Sequence, residues 1–488
     1  MKTQGIVLSL LLGAAFASTA AAQCPIKDSI MGVGSNFETY TPEASVQNAQ
    51  RPDGMTGATV QHRDGAHGKN QCDGKKNSYN DEYDCFRRFR LGSYGEMVSA
   101  FKDYGMNRFY GHPEGAPKET RATISIPRFV LALDYKFSPK WIVGAEIEFE
   151  SGGTGTALEL EKAENGEYET ELEKGGEVAI EQFHITRLIH PAFNVRVGHM
   201  IVPVGLTNAH HEPMNFFGTV RPEGESTIIP CTWHETGLAF FGSFGKRAAR
   251  FNYQAMVVSG LNANGFDRNN WVQKGKQGKF EEDRLQHPAF VARLDWTGLP
   301  GLRAGVSYYH CGNAGANADI PTIYKKKFPV NIFSVDAQYE HPYVIARGNV
   351  LIGTLGNAGE LSARNSNLNK LAPYTRLAPI AKRAVSYGGE VGLNLRNIIG
   401  REDLPEIIPF ARYEYYNAQQ EGEKNSSFVS VMDPRFKTSM WVFGLNYRVG
   451  NGVVVKADYT TRRIGDGAFN AENEFALGVA FNAWFLNK

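Results

Sequence analysis

The chain has 488 residues, with 52 lysines and arginines against 51 aspartates and glutamates, and a formal net charge of +1. Such a balanced charge gives no reason to expect a nucleic-acid partner. Beyond the N-terminal region the sequence has no long apolar run, which excludes a membrane-spanning helix there. The mean hydropathy of −0.35 is polar, but a transmembrane β-barrel alternates apolar and polar residues and is also polar on average.

The first 22 residues have the features of a secretory signal peptide. Lys2 precedes an apolar run, and the small residues Ala20, Ala21 and Ala22 follow it. The run is shorter than the roughly 20 residues that a membrane-spanning helix needs. We therefore expect cleavage after Ala22 and export of the remaining chain.

Residues 23–88 form a polar segment rich in glycine and asparagine. The sequence is compatible with a periplasmic leader, a small insert in the lumen of a barrel, or a contact between subunits. Cys72 and Cys85 flank an acidic stretch in this segment. They could form a disulfide in an oxidising compartment or remain two free thiols, and the sequence does not separate these alternatives.

Strict alternation begins in the stretch RFVLALDYKF, residues 128–137. Phe129, Leu131 and Leu133 share one face, whereas Arg128 and Asp134 share the other. A period of two over ten residues indicates a strand with one apolar and one polar side. The turn at Ser138-Pro139 and a second alternating run over 141–150 complete a β-hairpin.

The same unit recurs to the end of the chain, and we count about 16 strands. Each has about 10 residues, which is the length that a tilted strand needs to cross a bilayer. The first strand, near 90–104, and the fourth, near 177–188, are the least regular. Later alternating runs lie near 193–198, 290–296, 302–308, 333–339, 344–350, 385–395, 441–449, 453–459 and 475–485.

The connections between these strands alternate between short and long. Short turns are predicted near positions 138, 190, 246, 299, 341, 400 and 451. Long loops are predicted near 106–120, 151–176, 202–232, 260–286, 312–328, 354–382, 418–436 and 462–472. Aromatic residues cluster where strands meet their connections, as in the two interfacial girdles of membrane barrels. A soluble β-sandwich would need a second sheet over each apolar face and would not explain this alternation.

We therefore predict an all-β protein, a transmembrane antiparallel β-barrel with short periplasmic turns and long extracellular loops, over residues 89–488. Such a barrel lies in the lipid of an outer membrane of the Gram-negative type. A plugged, energy-coupled transporter would need about 22 strands and a large N-terminal plug, which residues 24–88 are too few to supply.

The stretch HHEPMNFFG, residues 210–218, superficially resembles a zinc motif. A metalloprotease needs His-Glu-x-x-His on a helix, so that both imidazoles face the metal. Here Asn215 replaces the second histidine, and Pro213 would break the helix. We therefore predict no metal site, no cofactor and no enzymatic activity, and a loop folded against a barrel wall instead.

Three stretches resemble the phosphate-selective porin O/P family of outer-membrane porins. They are VPVGLTNAHHEPMNFFGTVRPEGESTIIPCTWHETGLAFFG from Val202, RFVLALDYKFSPKWIVGAEIEFE from Arg128, and IIPFARYEYY from Ile407. The resemblance covers roughly residues 90–488. It implies a 16-stranded barrel, a homotrimer, and passive diffusion of small solutes. It also implies that residues 207–230 fold inward and narrow the pore.

Porin selectivity depends on charged side chains in the lumen. In the predicted loop the candidates are Glu212, Arg221, Glu223 and Glu225, which either face the pore or only fix the loop to the wall. The wall candidates are Arg128, Arg196, Arg347, Arg412, Glu414 and Lys456. Further basic residues predicted to face the lumen are Lys136, Arg187, Arg293, Arg303, Arg396 and Arg448. Further acidic ones are Asp134, Glu146, Glu148, Glu150, Glu181, Asp295, Asp336, Glu340, Glu390 and Asp458.

These charges nearly balance, and no arginine ladder of the kind found in phosphate-selective family members is recognisable. The sequence therefore predicts a general or weakly selective porin for small hydrophilic solutes or ions. An anion- or phosphate-selective porin is the first alternative. A surface protein whose long loops bind a partner is the second.

Overall fold

The computed structural model describes residues 87–104, 120–153, 158–162, 168–172, 176–278, 280, 282–371, 377–450, 452–467 and 470–487. The chain divides into two units, Met1–Gly54 and Met55–Lys488, and every described residue belongs to the second. The predicted signal peptide, nearly all of the polar segment, and the pair Cys72 and Cys85 lie outside the described residues.

Strands are the main regular secondary structure of the described part of the chain. In chain order they are β1 (Phe89–Lys102), β2 (Arg121–Ser138), β3 (Trp141–Glu150), β4 (Leu158–Lys162), β5 (Tyr168–Leu172), β6 (Glu177–His190), β7 (Phe193–Ile201), β8 (His234–Phe244), β9 (Phe251–Val258), β10 (Ala289–Leu299), β11 (Leu302–Cys311), β12 (Val330–Glu340), β13 (Val344–Leu355), β14 (Arg383–Leu393), β15 (Glu406–Glu421), β16 (Lys437–Val449), β17 (Val453–Ile464) and β18 (Ala471–Asn487).

Within the described residues, sixteen of these strands form one closed antiparallel barrel. Each pairs with its neighbours in the chain, β3 pairs with β6, and β1 closes the ring by pairing with β18. Strands β4 and β5 form a separate two-stranded sheet within the connection between β3 and β6. The predicted fold class and strand number are thereby confirmed.

The helices are short and lie in the connections. They are α1 (Glu223–Ile228), α2 (Ala358–Leu371) and α3 (Leu395–Ile399), with single 3₁₀ turns at Arg247–Ala249, Ala263–Gly265, Gln273–Gly275, Pro321–Ile323 and Pro434–Phe436. Among the residues that the structure describes, no helix is long and apolar enough to cross a lipid bilayer.

The strands place apolar side chains outside the barrel and polar side chains inside it. On β12, Phe333 and Val335 are 44% and 45% exposed, whereas Ser334 and Asp336 are 0% and 2% exposed. This is the reverse of a water-soluble protein, in which charged residues are almost never fully buried unless paired. The closed ring leaves no unpaired edge among the sixteen barrel strands, and such pairing of backbone polar groups is what a strand surrounded by hydrocarbon requires.

Short and long connections alternate along most of the barrel, as the sequence predicts. However, the predicted long loop near 462–472 has only the six residues 465–470, whereas the predicted short turn near 400 has the twelve residues 394–405. The turn between β10 and β11 contains Gly301, whose φ of +74° lies in the left-handed region. A Cβ atom at this position would collide with the carbonyl oxygen of Glu340. Glycine is therefore required for the tight approach of this turn to β12. The long connections all lie at the opposite end of the barrel.

Strands β1 and β6 are irregular because each contains a break in register. In β6, Ile147 pairs with Ile180 and Glu146 pairs with Gln182, so Glu181 is an extra, bulged residue. A bulge reverses the faces of the residues that follow it. The prediction that Arg187 faces the lumen is consequently wrong. Arg187 lies outside, with its guanidinium 5.0 Å from the ring centre of Trp141.

The largest apolar cluster lies inside the barrel at the long-loop end. It combines inward-facing residues of the strands, such as Tyr309 and Val330, with residues of several loops, such as Trp233, Trp271 and Leu361. Residues from at least three long connections therefore pack together inside the barrel, and they cover part of its interior from the long-loop side.

Candidate functional site

The connection between β7 and β8, residues 202–233, enters the barrel; we call it the lumen loop. It is longer than the predicted inward segment, 207–230, by a few residues at each end. Most of its residues are buried, and it includes the short helix α1. Its contacts reach inward-facing residues of strands on opposite sides of the barrel.

Glu225 closes the lumen loop on itself. Its carboxylate accepts hydrogen bonds from the backbone N–H groups of Leu206 at 2.9 Å, Thr207 at 3.2 Å and Asn208 at 2.5 Å. It also accepts one from the side-chain amide of Asn349 on β13 at 2.6 Å. Burial raises the pKa of Glu225 to about 7, although these backbone hydrogen bonds lower it. The role of Glu225 in this structure is to fix the loop.

Gly205, the glycine of the VPVG stretch, lies directly against the Glu225 carboxylate. Gly205 has a φ of +86°, in the left-handed region. A Cβ atom there would collide with the carboxylate of Glu225. Only glycine lets the backbone reach that carboxylate closely enough for the neighbouring amides to bind it.

Asn208 fastens the two ends of the lumen loop together. Its side-chain amide donates to the carbonyl oxygens of Val202 at 2.7 Å and Val204 at 3.1 Å. Its side-chain oxygen accepts the backbone N–H of Trp233 at 2.6 Å. The loop is therefore a closed structural unit as well as a wall contact.

Positive charges of the barrel wall bind carbonyl oxygens of the lumen loop. The ammonium group of Lys456 donates to Pro213 at 2.6 Å, Phe216 at 2.8 Å and Gly218 at 2.9 Å. It also lies 4.4 Å from the ring centre of Phe216. All three donors of the lysine are thereby used on the loop.

Three wall arginines act in the same way. Arg128 donates to the carbonyl oxygen of His211, Arg412 to that of Val220 at 3.2 Å, and Arg293 to that of Gly205 at 3.2 Å. Arg128 also pairs with Glu96 at 3.0 Å, and Arg412 pairs with Glu414 at 2.9 Å. These cations satisfy loop backbone that would otherwise be buried without partners.

Negative charges of the wall bind the amide groups of the same loop. Asp458 accepts the N–H of Thr219 at 2.6 Å, Glu414 that of Gly224 at 2.9 Å, and Glu390 that of Phe217 at 3.3 Å. The two signs of wall charge therefore complement the two polar groups of the loop backbone.

The remaining candidates of the lumen loop have different partners. Glu223 pairs with Arg462 of β17 and accepts the hydroxyl of Tyr416 at 2.8 Å. Glu212 accepts the side-chain amide of Asn215 at 2.5 Å, and burial raises its pKa to about 7. Arg221 is half-buried and donates to the sulfur of Cys231 at 3.2 Å.

The remaining wall candidates lie apart from each other. Arg347 donates to Glu390 at 2.6 Å, and its guanidinium lies 4.9 Å from the ring centre of Phe217. Arg196 donates to Thr186 at 3.0 Å on a different part of the wall. The structure thus brings Arg128, Arg347, Arg412, Glu414 and Lys456 against the loop. Arg196 lines a cavity next to the loop.

A second charge network was not singled out from the sequence. Arg293 and Arg303 both donate to Asp336, at 2.8 and 2.7 Å, and Asp295 accepts from the same two arginines at 2.8 and 2.9 Å. The alternation of β10 to β12 places all four on the lumen face. Their mutual pairing depends on strand register, which sequence periodicity does not specify.

A polar cavity of about 110 Å³ lies between the lumen loop and the wall formed by β2, β3, β6 and β7. Such a volume has room for several water molecules. Its charged lining residues are Arg90, Asp134, Glu146 and Arg196. Both signs of charge therefore line this part of the lumen.

The chain was compared with known proteins by sequence and by structure. No family model matches the chain. A protein of Aquifex aeolicus (strain VF5), described as uncharacterized, is 25% identical over 375 residues, which are 76% of this chain and 74% of that protein.

Several solved structures of outer-membrane porins and channels are similar in architecture. They include the anion-selective porin from Comamonas acidovorans (9% identity, TM-score 0.46, 81% of this chain and 99% of that chain), the outer membrane channel DcaP of Acinetobacter baumannii (12%, 0.46, 81% and 97%) and Salmonella typhi OmpF in complex with daunomycin (10%, 0.47, 80% and 97%).

Proposed function

We propose that this protein is an outer-membrane porin, a passive diffusion channel for small hydrophilic solutes or ions. The observation that supports this function best is the distribution of charge in a closed 16-stranded barrel. Apolar side chains cover the outside, while charges of both signs line the inside. A barrel of 16 to 18 strands is wide enough to hold an aqueous passage, whereas an 8-stranded barrel is filled by its own side chains.

We propose weak rather than strong ion selectivity. Lys456, Arg412 and Arg128 are buried and donate to loop carbonyl oxygens, and the two arginines also pair with wall carboxylates, so these three groups are poorly placed to meet a solute. Arg196 and Arg221 are half-buried and are the basic candidates best placed to meet a solute. An anion-selective pore, the alternative, would depend on these two arginines.

Kinship with the phosphate-selective porin O/P family remains a proposal that rests on the VPVG, HEP, RPE and IIP stretches. The lumen loop is compatible with the inward loop that this resemblance implies. The homotrimer is likewise a proposal, and native mass measurement of the protein in detergent tests it.

The deciding experiment is conductance of the refolded protein in a planar lipid bilayer. We expect stepwise channels in potassium chloride, a reversal potential near zero in a salt gradient, and no block by phosphate. A strong anion bias together with phosphate block would replace the general porin by the anion-selective alternative. In that case Arg221→Gln should weaken the block, while Arg401→Gln, at an exposed turn, should not.

Well-folded protein that gives no channels would overturn the transport function. Several outer loops pack into a common apolar cluster inside the barrel, and a lumen blocked in this way would not conduct. A surface-binding role for the long loops would then be the function to test.

A further inference from the structure

A cluster of buried donor groups lies between the lumen loop and the wall. Glu146 comes from β3, Glu181 from β6 and His211 from the lumen loop. One side-chain donor atom from each of these residues lies within 4.8 Å of the other two. His234, the first residue of β8, faces the same carboxylate, and we call these four residues the Glu181 cluster.

Glu181 is directed into this cluster by the bulge in β6. It is the extra residue between the pairs Ile147–Ile180 and Glu146–Gln182. A bulge re-aims a side chain that a regular strand would place elsewhere. The residue next to it, Gln182, donates to Glu146 at 2.6 Å and fixes that second carboxylate.

One oxygen of Glu181 is already engaged. Its Oε2 atom accepts the hydroxyl of Tyr94 at 3.1 Å, and it lies 3.9 Å from Nε2 of His211. The Tyr94 hydroxyl is also 2.8 Å from Nε2 of His211. Tyr94 therefore holds the imidazole and the carboxylate side by side.

The other oxygen of Glu181 is not engaged in this way. Among the described residues, Oε1 of Glu181 and Nε2 of His234 are buried without a hydrogen-bond partner. The two atoms are 3.8 Å apart, and both side chains are only 3% to 4% exposed. Oε1 of the neighbouring Glu148 is also buried and has no hydrogen-bond partner in the described structure. Leaving such groups unsatisfied costs roughly 1–3 kcal/mol each, and more for a charged group.

Carboxyl groups are concentrated around Glu181. Glu146 and Glu148 lie beside it, and Glu148 and Glu181 share a hydrogen bond. The guanidinium of Arg128, which pairs with Glu96, also lies near Glu181. The cluster therefore offers several oxygen ligands to a cation, and binding would release any proton that these groups hold.

Although the sequence predicts no metal site at the stretch that contains His211, we propose that the Glu181 cluster is a binding site for a divalent transition-metal ion of the Zn²⁺ type. Glu146, Glu181 and His211 would be its ligands. His234 would be a further ligand, beside the free oxygen of Glu181. A mixed set of imidazole nitrogen and carboxylate oxygen suits zinc, cobalt or nickel, whereas Ca²⁺ and Mg²⁺ prefer oxygen ligands alone.

Two of the separations are close to those that such an ion requires, and the donor atom of Glu146 lies within 4.8 Å of those of Glu181 and His211. Ligand atoms at roughly 2.0–2.2 Å from Zn²⁺ lie about 3.3–3.5 Å apart in a tetrahedron. The pairs Glu181–His211 and Glu181–His234 are separated by 3.9 and 3.8 Å, so shifts of about half an ångström would complete them. The ion would link the lumen loop to β3 and β6 at His211, next to the residues that Lys456 holds.

The experiment uses full-length protein without a histidine tag, refolded in Co²⁺ and then desalted. We expect about one retained equivalent of cobalt with the absorption spectrum of nitrogen and oxygen ligands. Glu181→Gln and His211→Ala should each lose that equivalent. His210→Ala should keep it, because His210 instead contacts the carbonyl oxygen of Leu206.

The control for cysteine binding is spectroscopic. The chain contains five cysteines, and a thiolate ligand to cobalt would give a charge-transfer band that the Glu181 cluster cannot produce. Such a band, or retention unchanged in both variants, would overturn the proposal, as would folded wild-type protein that retains no cobalt.

If His211→Ala does not fold, the half-buried Glu146→Gln serves as the second variant, with the same loss expected. The proposal does not rest on channel activity, so conductance and metal binding can fail independently.

Discussion

Individual charges in the lumen serve the backbone of the protein's own loop. Lys456 uses its whole ammonium group on three carbonyl oxygens, and Asp458, two residues later, accepts a loop amide. The pairing explains why these charged side chains are buried rather than solvated. It also favours the structural over the selective role for most of the loop-facing residues that the sequence suggests.

Replacing Lys456 should loosen the lumen loop. Lys456→Met keeps the length of the side chain but leaves three buried carbonyl oxygens without their donor. We expect a loss of about 3 kcal/mol or more in the free energy of unfolding, because each unsatisfied group costs roughly 1–3 kcal/mol. Urea titration of the refolded protein measures this loss. Lys437→Met, at an exposed position, is the control and should change little. Equal stability of the two variants would contradict the anchoring role.

Replacing Glu225 tests the closure of the lumen loop on itself. Glu225→Gln introduces an amide donor beside amides that already donate to this position, so at least one buried N–H loses its acceptor. We expect faster protease cleavage within the loop and a stability loss of about 1–3 kcal/mol. The exposed Glu282→Gln is the matched control. Cleavage as slow as in the wild type would show that Glu225 does not hold the loop.

At this scale the sequence predicts which residues face inward but not which partners they meet. Alternation correctly places Arg128, Arg412 and Lys456 in the lumen, because the period of two is a local property. Their partners are up to 243 positions away in the chain. Such contacts depend on barrel register and on the path of the loop, neither of which a local pattern contains. Arg187 shows the converse, since one bulged residue reverses the pattern.

Where the structure describes them, the long connections make hydrogen bonds and apolar contacts of their own. Asp433, in the connection between β15 and β16, pairs with Arg435 at 2.7 Å and with Arg268 of another connection at 2.9 Å. The two loops are thereby fastened to each other. The sequence predicts the position of both loops but not this contact, because it is set by the order of strands around the ring.

The fastening by Asp433 should depend on pH. Although burial raises it, hydrogen bonds from Arg435 and the charge of Arg268 hold the pKa of Asp433 below its usual value. The contribution is therefore complete above about pH 4, the ordinary aspartate pKa, and is lost as the pH falls through the lower folded value. Hydrogen exchange of residues 422–436, corrected for intrinsic rates, should rise in that acid range.

Asp433→Asn should show the faster exchange already at neutral pH, because the carboxylate is absent throughout. Asp403→Asn, which removes a fully exposed pair at the opposite end of the barrel, is the control and should leave this loop unchanged. Acid-independent exchange in the wild type would contradict the fastening.

The whole molecule is organised by its two surfaces. Apolar side chains such as Phe333, Val335 and Phe443 cover the outside, whereas charged side chains such as Asp336 and Lys456 are inside. The sequence predicts this organisation well, since the alternation of apolar and polar residues recurs in the sixteen strands of the described barrel. The interior packing of the loops has no such repetition and was not predictable.

A charge on the outer surface should be costly at mid-height and tolerated near the rim. Val335→Arg places a guanidinium at the middle of β12, where we expect a loss of about 2–4 kcal/mol in lipid vesicles. Tyr343→Arg, at the short turn that follows, should cost about 0–1 kcal/mol. Unfolding of both variants from vesicles measures the difference. Equal costs would contradict a bilayer around this face of the barrel.

The anchors of the lumen loop lie on both sides of the seam where the first and last strands of the barrel meet. Tyr94 on β1 and Arg128 on β2 hold His211, whereas Lys456 on β17 holds the residues that follow it. An open ring would separate these two sets of anchors. Docking of the loop and closure of the ring therefore reinforce each other, and by linkage each must stabilise the other by the same free energy. The lumen loop thus links strands on the two sides of the barrel seam, and its full set of contacts forms only when the last strand pairs with the first.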